Sequence, residues 1–195
     1  MSNILSIIQD HLGLFEAYLR KQFVEKIRTI IFFIVLMLFP DKNVKMFCLF
    51  FIMLFSIISD IRHNRIELMI FLPFTRKMVY WYEFGFMTLL VLLTTFAGLP
   101  FYRDFSSALA DLLSSMIYLS GYYGAIISLT MLRIDGIAAA FLFLVIDSIL
   151  SSWDSYTNVF RLISPSSQGN TVSSLIFSLG LLLIGYLTFE KGGRK

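Results

Sequence analysis

Residues 112–132 read LLSSMIYLSGYYGAIISLTML, twenty-one consecutive positions without a charge. A helix rises 1.5 Å per residue, so about 20 such residues cross the hydrocarbon of a bilayer. This stretch makes the chain an integral membrane protein unless its neighbours contradict it, and they agree. Phe84–Tyr102 and Thr171–Phe189 are uncharged over nineteen residues each, and Gly136–Trp153 is apolar apart from Asp147. Thr29–Phe39 and Met46–Ile58 are shorter apolar runs, separated by Asp-Lys-Asn-Val-Lys at 41–45. They read as a helical hairpin: the first extends backwards because Lys26 and Arg28 can carry their charged ends to the interface, and the second continues through Ser59 to Arg62. The expectation is an all-α membrane protein of one transmembrane domain, 1–195, with six spans at 26–40, 44–60, 79–100, 108–132, 136–152 and 171–189.

Composition supports that reading. Of 195 residues, 57% are hydrophobic and only 15% charged, with 21 Phe and 9 Met, and the mean hydropathy is +0.79. A soluble chain of this length cannot hide so much apolar surface. A soluble enzyme, a disordered tail and a partner for nucleic acid driven by net charge are all excluded; the formal charge is only +3. A single cysteine, Cys48, rules out a disulfide framework and a cysteine zinc site, while His11 and His63 lie too far apart in the chain for a histidine metal site.

Ahead of the first span, residues 3–23 carry Ile4, Ile8, Leu12, Phe15, Leu19 and Phe23 at spacings of three and four, with Asp10, Glu16, Arg20 and Lys21 largely off that stripe. This predicts an amphipathic helix lying in the membrane interface. Met1-Ser2-Asn3 lacks the basic residue that opens a secretory signal, so the N-terminus is expected in the cytoplasm. Placed so, twelve of the sixteen Lys and Arg fall on the cytoplasmic side and four outside, obeying the positive-inside rule with both termini cytoplasmic in the cell membrane.

The longest cytoplasmic connection is Ser59 to Lys77, SDIRHNRIELMIFLPFTRK. Its 66–72 stretch is apolar enough to lie along the membrane face, Pro73 breaks the helix, and Thr75 is placed to cap a new helix beginning near Arg76 and Lys77. An interfacial anchor would read the same way. The block Glu67-Leu68-Met69-Ile70-Phe71-Leu72-Pro73-Phe74-Thr75-Arg76-Lys77, followed by an aromatic helix start with Glu83, resembles the segment after the second span in membrane subunits of type-2 ABC exporters. The N-terminal amphipathic helix, Leu162-Ile163-Ser164-Pro165 in the last outer loop, and the terminal Phe189-Glu190-Lys191 agree with that family, so the resemblance covers essentially the whole chain. It implies a permease half that pairs with a second permease copy or paralogue. It also implies a coupling element at 65–77 (Arg65, Glu67, Leu68, Pro73, Phe74, Thr75, Arg76, Lys77) that meets a separate ATPase subunit. The chain has no phosphate loop: Gly192-Gly193-Arg194-Lys195 ends it. The resemblance therefore places ATP and magnesium on the partner chain, with no cofactor here. It further implies a re-entrant outer loop at 153–170, with a short helix at Val159 to Ile163 closing the outer mouth. From the residues alone, Trp153, Tyr156 and Phe160 fit an interfacial aromatic belt equally well.

Acidic residues near the spans are the remaining candidates for translocation or gating. Asp147 lies ~17 Å along its helix from Gly136, a depth at which a carboxylate is functional or structurally paired. Asp111 falls near the outer end of the fourth span, and Glu83 near the inner end of the third, within reach of basic loop residues. Ser120, Gly124 and Ser128 recur every four residues, which favours close helix approach. Two other readings stand beside the exporter. A substrate-capturing subunit of an energy-coupling importer has about six spans and a polar pocket near the outer face. A membrane phosphotransferase carries an Asp-Gly-x-x-Ala-Arg signature, which Asp135-Gly136-Ile137-Ala138-Ala139 approaches, but Ala140 stands where arginine is required.

Overall fold

The computed structural model describes residues 2–63, 65, 74–152 and 158–192, with the side chains of 2–11 left undescribed. The described residues contain helices and no strand: α1 (Ser2–Met37), α2 (Lys42–Arg62), α3 (Arg76–Ala97), α4 (Phe105–Met131), α5 (Gly136–Ser152), the short α6 (Val159–Ile163) and α7 (Thr171–Lys191). Four of them, α2, α3, α4 and α7, are long and apolar enough to cross a membrane. That makes the chain a membrane protein. Helix α5 is apolar but has 17 residues. The last eighteen residues of α1 (20–37) still hold Arg20, Lys21, Glu25, Lys26 and Arg28.

Helix α1 departs from expectation. A separate interfacial helix at 3–23 and a span at 26–40 are a single uninterrupted helix of 36 residues, ending three residues early at a turn through Leu38 and Phe39. Only Gly13 is a poor helix former in its first half, and one glycine costs about 1 kcal/mol, too little to break so long a helix. Its inward face takes in part of the predicted stripe, Phe15, Leu19 and Phe23, and adds residues outside it. Tyr18, Gln22, Ile30, Phe33 and Met37 are buried, whereas Leu12 is exposed. The face repeats every three or four residues, as a helix seated on a bundle requires.

Caps set the other starts. Asp41 accepts from the backbone N–H of Asn43 and Val44 and starts α2 at Lys42. Thr75 accepts from Met78 N at 3.3 Å and starts α3 at Arg76, as its position predicts. Asp104 caps α4 through Ser107 N, and that N–H holds the Asp104 carboxyl below its ordinary range. Asp135 accepts from Ile137 N and Ala138 N, so the residue that opens the phosphotransferase-like stretch is the cap of α5.

The long helices alternate in direction in chain order. One end of the bundle, the loop end, holds the limits of the 62–76 connection, with Lys77 paired to Glu190 of α7 at 3.0 Å. The opposite end, the hairpin end, holds the 38–41 turn between α1 and α2. Helices α4 and α7, both running from the hairpin end to the loop end, therefore pack in parallel. Helix α4 is the centre: eleven of its consecutive residues, 117 to 127, are buried on every side. A helix buried all round belongs inside a bundle. Within lipid the association rests on close packing rather than on expulsion of water, and α4 and α7 achieve it with glycine. A methyl built on Gly185 would lie 2.7 Å from Gly124 Cα, and one on Gly124 would strike the Leu181 carbonyl. Gly124 belongs to the ridge expected from the sequence. The neighbouring close approach is made by Gly121, against Pro165 and Ser178. Ser120 and Ser128 instead return their hydroxyls to Met116 O and Gly124 O in their own helix.

Candidate functional site

Three polar groups interrupt the apolar interior. The largest lies toward the loop end, where α1, α2 and α3 meet. Tyr18, Gln22 and Lys26 follow one another at intervals of four on the inward face of α1. One turn of π-helix, Leu54–Ile58, widens α2 where Ser56 points to α3, a distortion often found at functional sites. Fully buried Glu83 on α3 receives hydrogen bonds from the hydroxyls of Tyr18 and Ser56 and from Gln22 Nε2 at 2.9 Å. Lys26 Nζ donates to Ser56 O at 3.3 Å and pairs with Asp60 Oδ2 at 3.0 Å. Lys21 approaches the same oxygen at 3.7 Å, and Arg65 lies 3.8 Å from Asp60 Oδ1 and 3.5 Å from Glu25. Glu83 was expected to pair with basic loop residues; it is instead held by neutral donors, because it points between helices, away from the loop.

The coupling candidates divide around this knot. Phe74 is partly buried and packs edge-on to Tyr18, ring centroids 6.3 Å apart, and to Tyr82 at 6.4 Å. Thr75 and Lys77 are exposed and Arg76 half-buried. Arg65 reaches Asp60 from the far side of the connection. Both described ends of the 65–77 connection thus rest on one buried polar network. Glu67, Leu68 and Pro73 lie outside the described residues, as do Trp153 and Tyr156.

At the hairpin end, Lys45 is wholly buried and pairs with Asp111 at 2.6 Å, also donating to Tyr102 Oη at 2.6 Å and Thr95 Oγ1 at 3.1 Å. Asp111, read as an interfacial residue, is therefore the counter-ion of a buried lysine. Tyr102 in turn donates to Asp111, and burial followed by that hydrogen bond pushes its phenol up, keeping it a neutral donor. Beside the pair lies a cavity of about 500 Å³, lined among others by Lys42, Tyr102, Arg103, Asp111 and Ser114.

No protein-family model, curated protein or solved structure matches this chain. The functional reading therefore rests on geometry and on the residue pattern.

The third group centres on Asp147 of α5, which accepts from Tyr122 Oη at 2.9 Å; Tyr118 stacks on Tyr122 with centroids 4.0 Å apart. Phe160 stands close by, on α6. Beyond α6 the chain dips along α4: Pro165 sits against Gly121, roughly 24 Å from the start of that helix at 1.5 Å per residue. Gln168, in the left-handed region at φ 54°, fixes the dip by donating to Ser114 O at 2.8 Å and Pro165 O at 2.7 Å.

Sequence reasoning missed Tyr18, Gln22, Lys26, Ser56 and Asp60. Their signal was present: polar residues at intervals of four inside or beside apolar runs, 18-22-26 and 56-60, which align on one helix face. Lys45 falls at the very start of the expected span 44–60, within the polar break at 41–45, and reads there as an outer charge with no partner. Among the described residues, no three His, Cys, Asp or Glu side chains come together as a metal site.

Proposed function

We propose that this chain is the membrane-spanning permease subunit of an ATP-driven type-2 ABC exporter, working as a dimer in the cell membrane with both termini cytoplasmic. The observation that carries the reading is the seating of the 65–77 connection. Arg65 at one end touches Asp60, and Phe74 at the other touches Tyr18, which hydrogen-bonds Glu83. A push on this connection by an ATPase partner reaches α1, α2 and α3 together through one connected polar network. ATP closes the partner subunits, and the two states of the permease differ in how that network is loaded. ATP and magnesium belong to the partner, and this chain carries out no hydrolysis itself.

The test is whether an ATP-binding cassette ATPase co-purifies with the chain, followed by ATPase assays of that complex in nanodiscs. Replacing Phe74 by Ala or Arg76 by Glu is expected to reduce transport-coupled hydrolysis several-fold while the helical content stays unchanged. Wild-type coupling in both variants would remove the connection as the contact. The importer-type capture subunit is favoured by one observation, the 500 Å³ cavity at the hairpin end. Tight binding of a small soluble ligand there, without any ATPase contact at 65–77, would support it instead.

A further inference from the structure

Asp147 has less charge compensation than the other two groups. It is 8% exposed, on a helix whose preceding positions, Phe141 to Ile146, are all apolar. Its Oδ2 takes the Tyr122 hydroxyl, and among the described residues its Oδ1 has no donor and no Lys or Arg makes an ion pair with it. The other buried carboxylates are answered within the chain: Asp111 by Lys45, Asp60 by Lys26, Lys21 and Arg65, Glu83 by three donors. A carboxylate inside an apolar span is costly unless paired, and one neutral hydroxyl pairs it poorly.

The missing cation has a place. Asp147 lines a cavity of about 120 Å³ whose walls include Phe143, Ile146, Leu150, Phe160 and Phe177. Aromatic faces attract cations, most strongly where water is excluded. Phe160 and Ile146 are exposed on the apolar flank, so a ligand dissolved in the membrane has a way in. The volume suits an ammonium carried on one small ring or a few methylenes, and excludes a whole lipid.

We infer that the crevice between α5, α6 and α7 is a recognition site for the protonated amine of a small apolar compound, with Asp147 as counter-ion and the phenylalanine rings as its walls. Calling that compound a cargo rests on the exporter reading; the binding itself does not. Tyr122 holds the carboxylate in place from the side of α4, and Asp147 is the specificity-determining group.

The experiment is equilibrium binding of radiolabelled benzylamine and benzyl alcohol to the full chain in phosphatidylcholine nanodiscs at neutral pH, without an ATPase and with empty nanodiscs subtracted. Wild-type protein is expected to prefer the amine by about tenfold, the size of one desolvated charge contact. Asp147→Asn is expected to abolish the preference, and Phe143→Leu to weaken the amine more than the alcohol. Equal binding of the two probes to wild-type protein overturns the inference, whether or not Asp147→Asn folds. So does a preference that survives in Asp147→Asn. Amine preference in a wild-type chain that couples to no ATPase would count only against the exporter reading, and coupling in a wild-type chain without amine preference only against this site.

Discussion

The two charged ends of the bundle solve one problem in opposite ways. At the hairpin end a single lysine, Lys45, answers a single carboxylate, Asp111, and both are nine-tenths buried or more. At the loop end Asp60 is shared among Lys26, Lys21 and Arg65, and Glu83 is shared among Tyr18, Gln22 and Ser56. At the hairpin end Tyr102 and Thr95 add neutral hydrogen bonds, but the charge of Asp111 is answered by one cation and only while Lys45 stays in place. A branched network can lose or lengthen one contact and keep the rest, which suits the force-receiving role proposed for the loop end. The hairpin end is a clamp and the loop end is a joint.

The sharpest way to break this contrast is Lys45→Met. Removing one partner of a buried ion pair leaves the other uncompensated, at a cost of about 3–5 kcal/mol. Denaturant melts in detergent should show that loss, and Lys45→Met with Asp111→Leu should recover most of it. If the double variant is no better than the single, the clamp is not an isolated pair. Lys26→Met is expected to cost less, about 2 kcal/mol, as one hydrogen bond to a charged group with other cations standing by. Equal losses for Lys26→Met and Lys45→Met would erase the distinction between joint and clamp. The smallest effect belongs to Arg65→Ala. Its guanidinium is half-exposed, so its pairs with Asp60 and Glu25 are worth about 0–1 kcal/mol in stability. Its importance should show only in the ATPase assay, where a loss of coupling at unchanged melting point separates transmission from support.

The apolar runs declared the helices because length and hydropathy are local properties. Phe105–Met131 and Thr171–Lys191 lie within three residues of their expected limits. Gly136–Ser152 coincides with the expected 136–152. The charged clusters were harder to read, since whether a lysine is buried depends on where its helix starts. Asp41 caps α2 and draws Lys45 into the first turns of a helix, and from there its side chain meets Asp111, sixty-six residues away in the chain. A cap residue beside an apolar run carried that information, but the partner did not lie nearby in sequence. Helix α1 shows the other limit. Its hydrophobic stripe reads as a membrane surface, yet Leu19 and Phe23 of that stripe pack on the bundle beside Tyr18, Gln22 and Lys26, whose value emerges only once Glu83 and Asp60 are across from them.

The glycine contact between Gly124 and Gly185 has a mechanical consequence. Where two backbones touch with no side chain between them, neither helix can slide or roll without collision, so α4 and α7 travel as one plank. Any opening of the molecule has to swing along a different seam, such as the flank beside α5, where side chains rather than backbones meet: Phe141 on Phe50, Phe143 on Tyr122, and Asp147 on the Tyr122 hydroxyl.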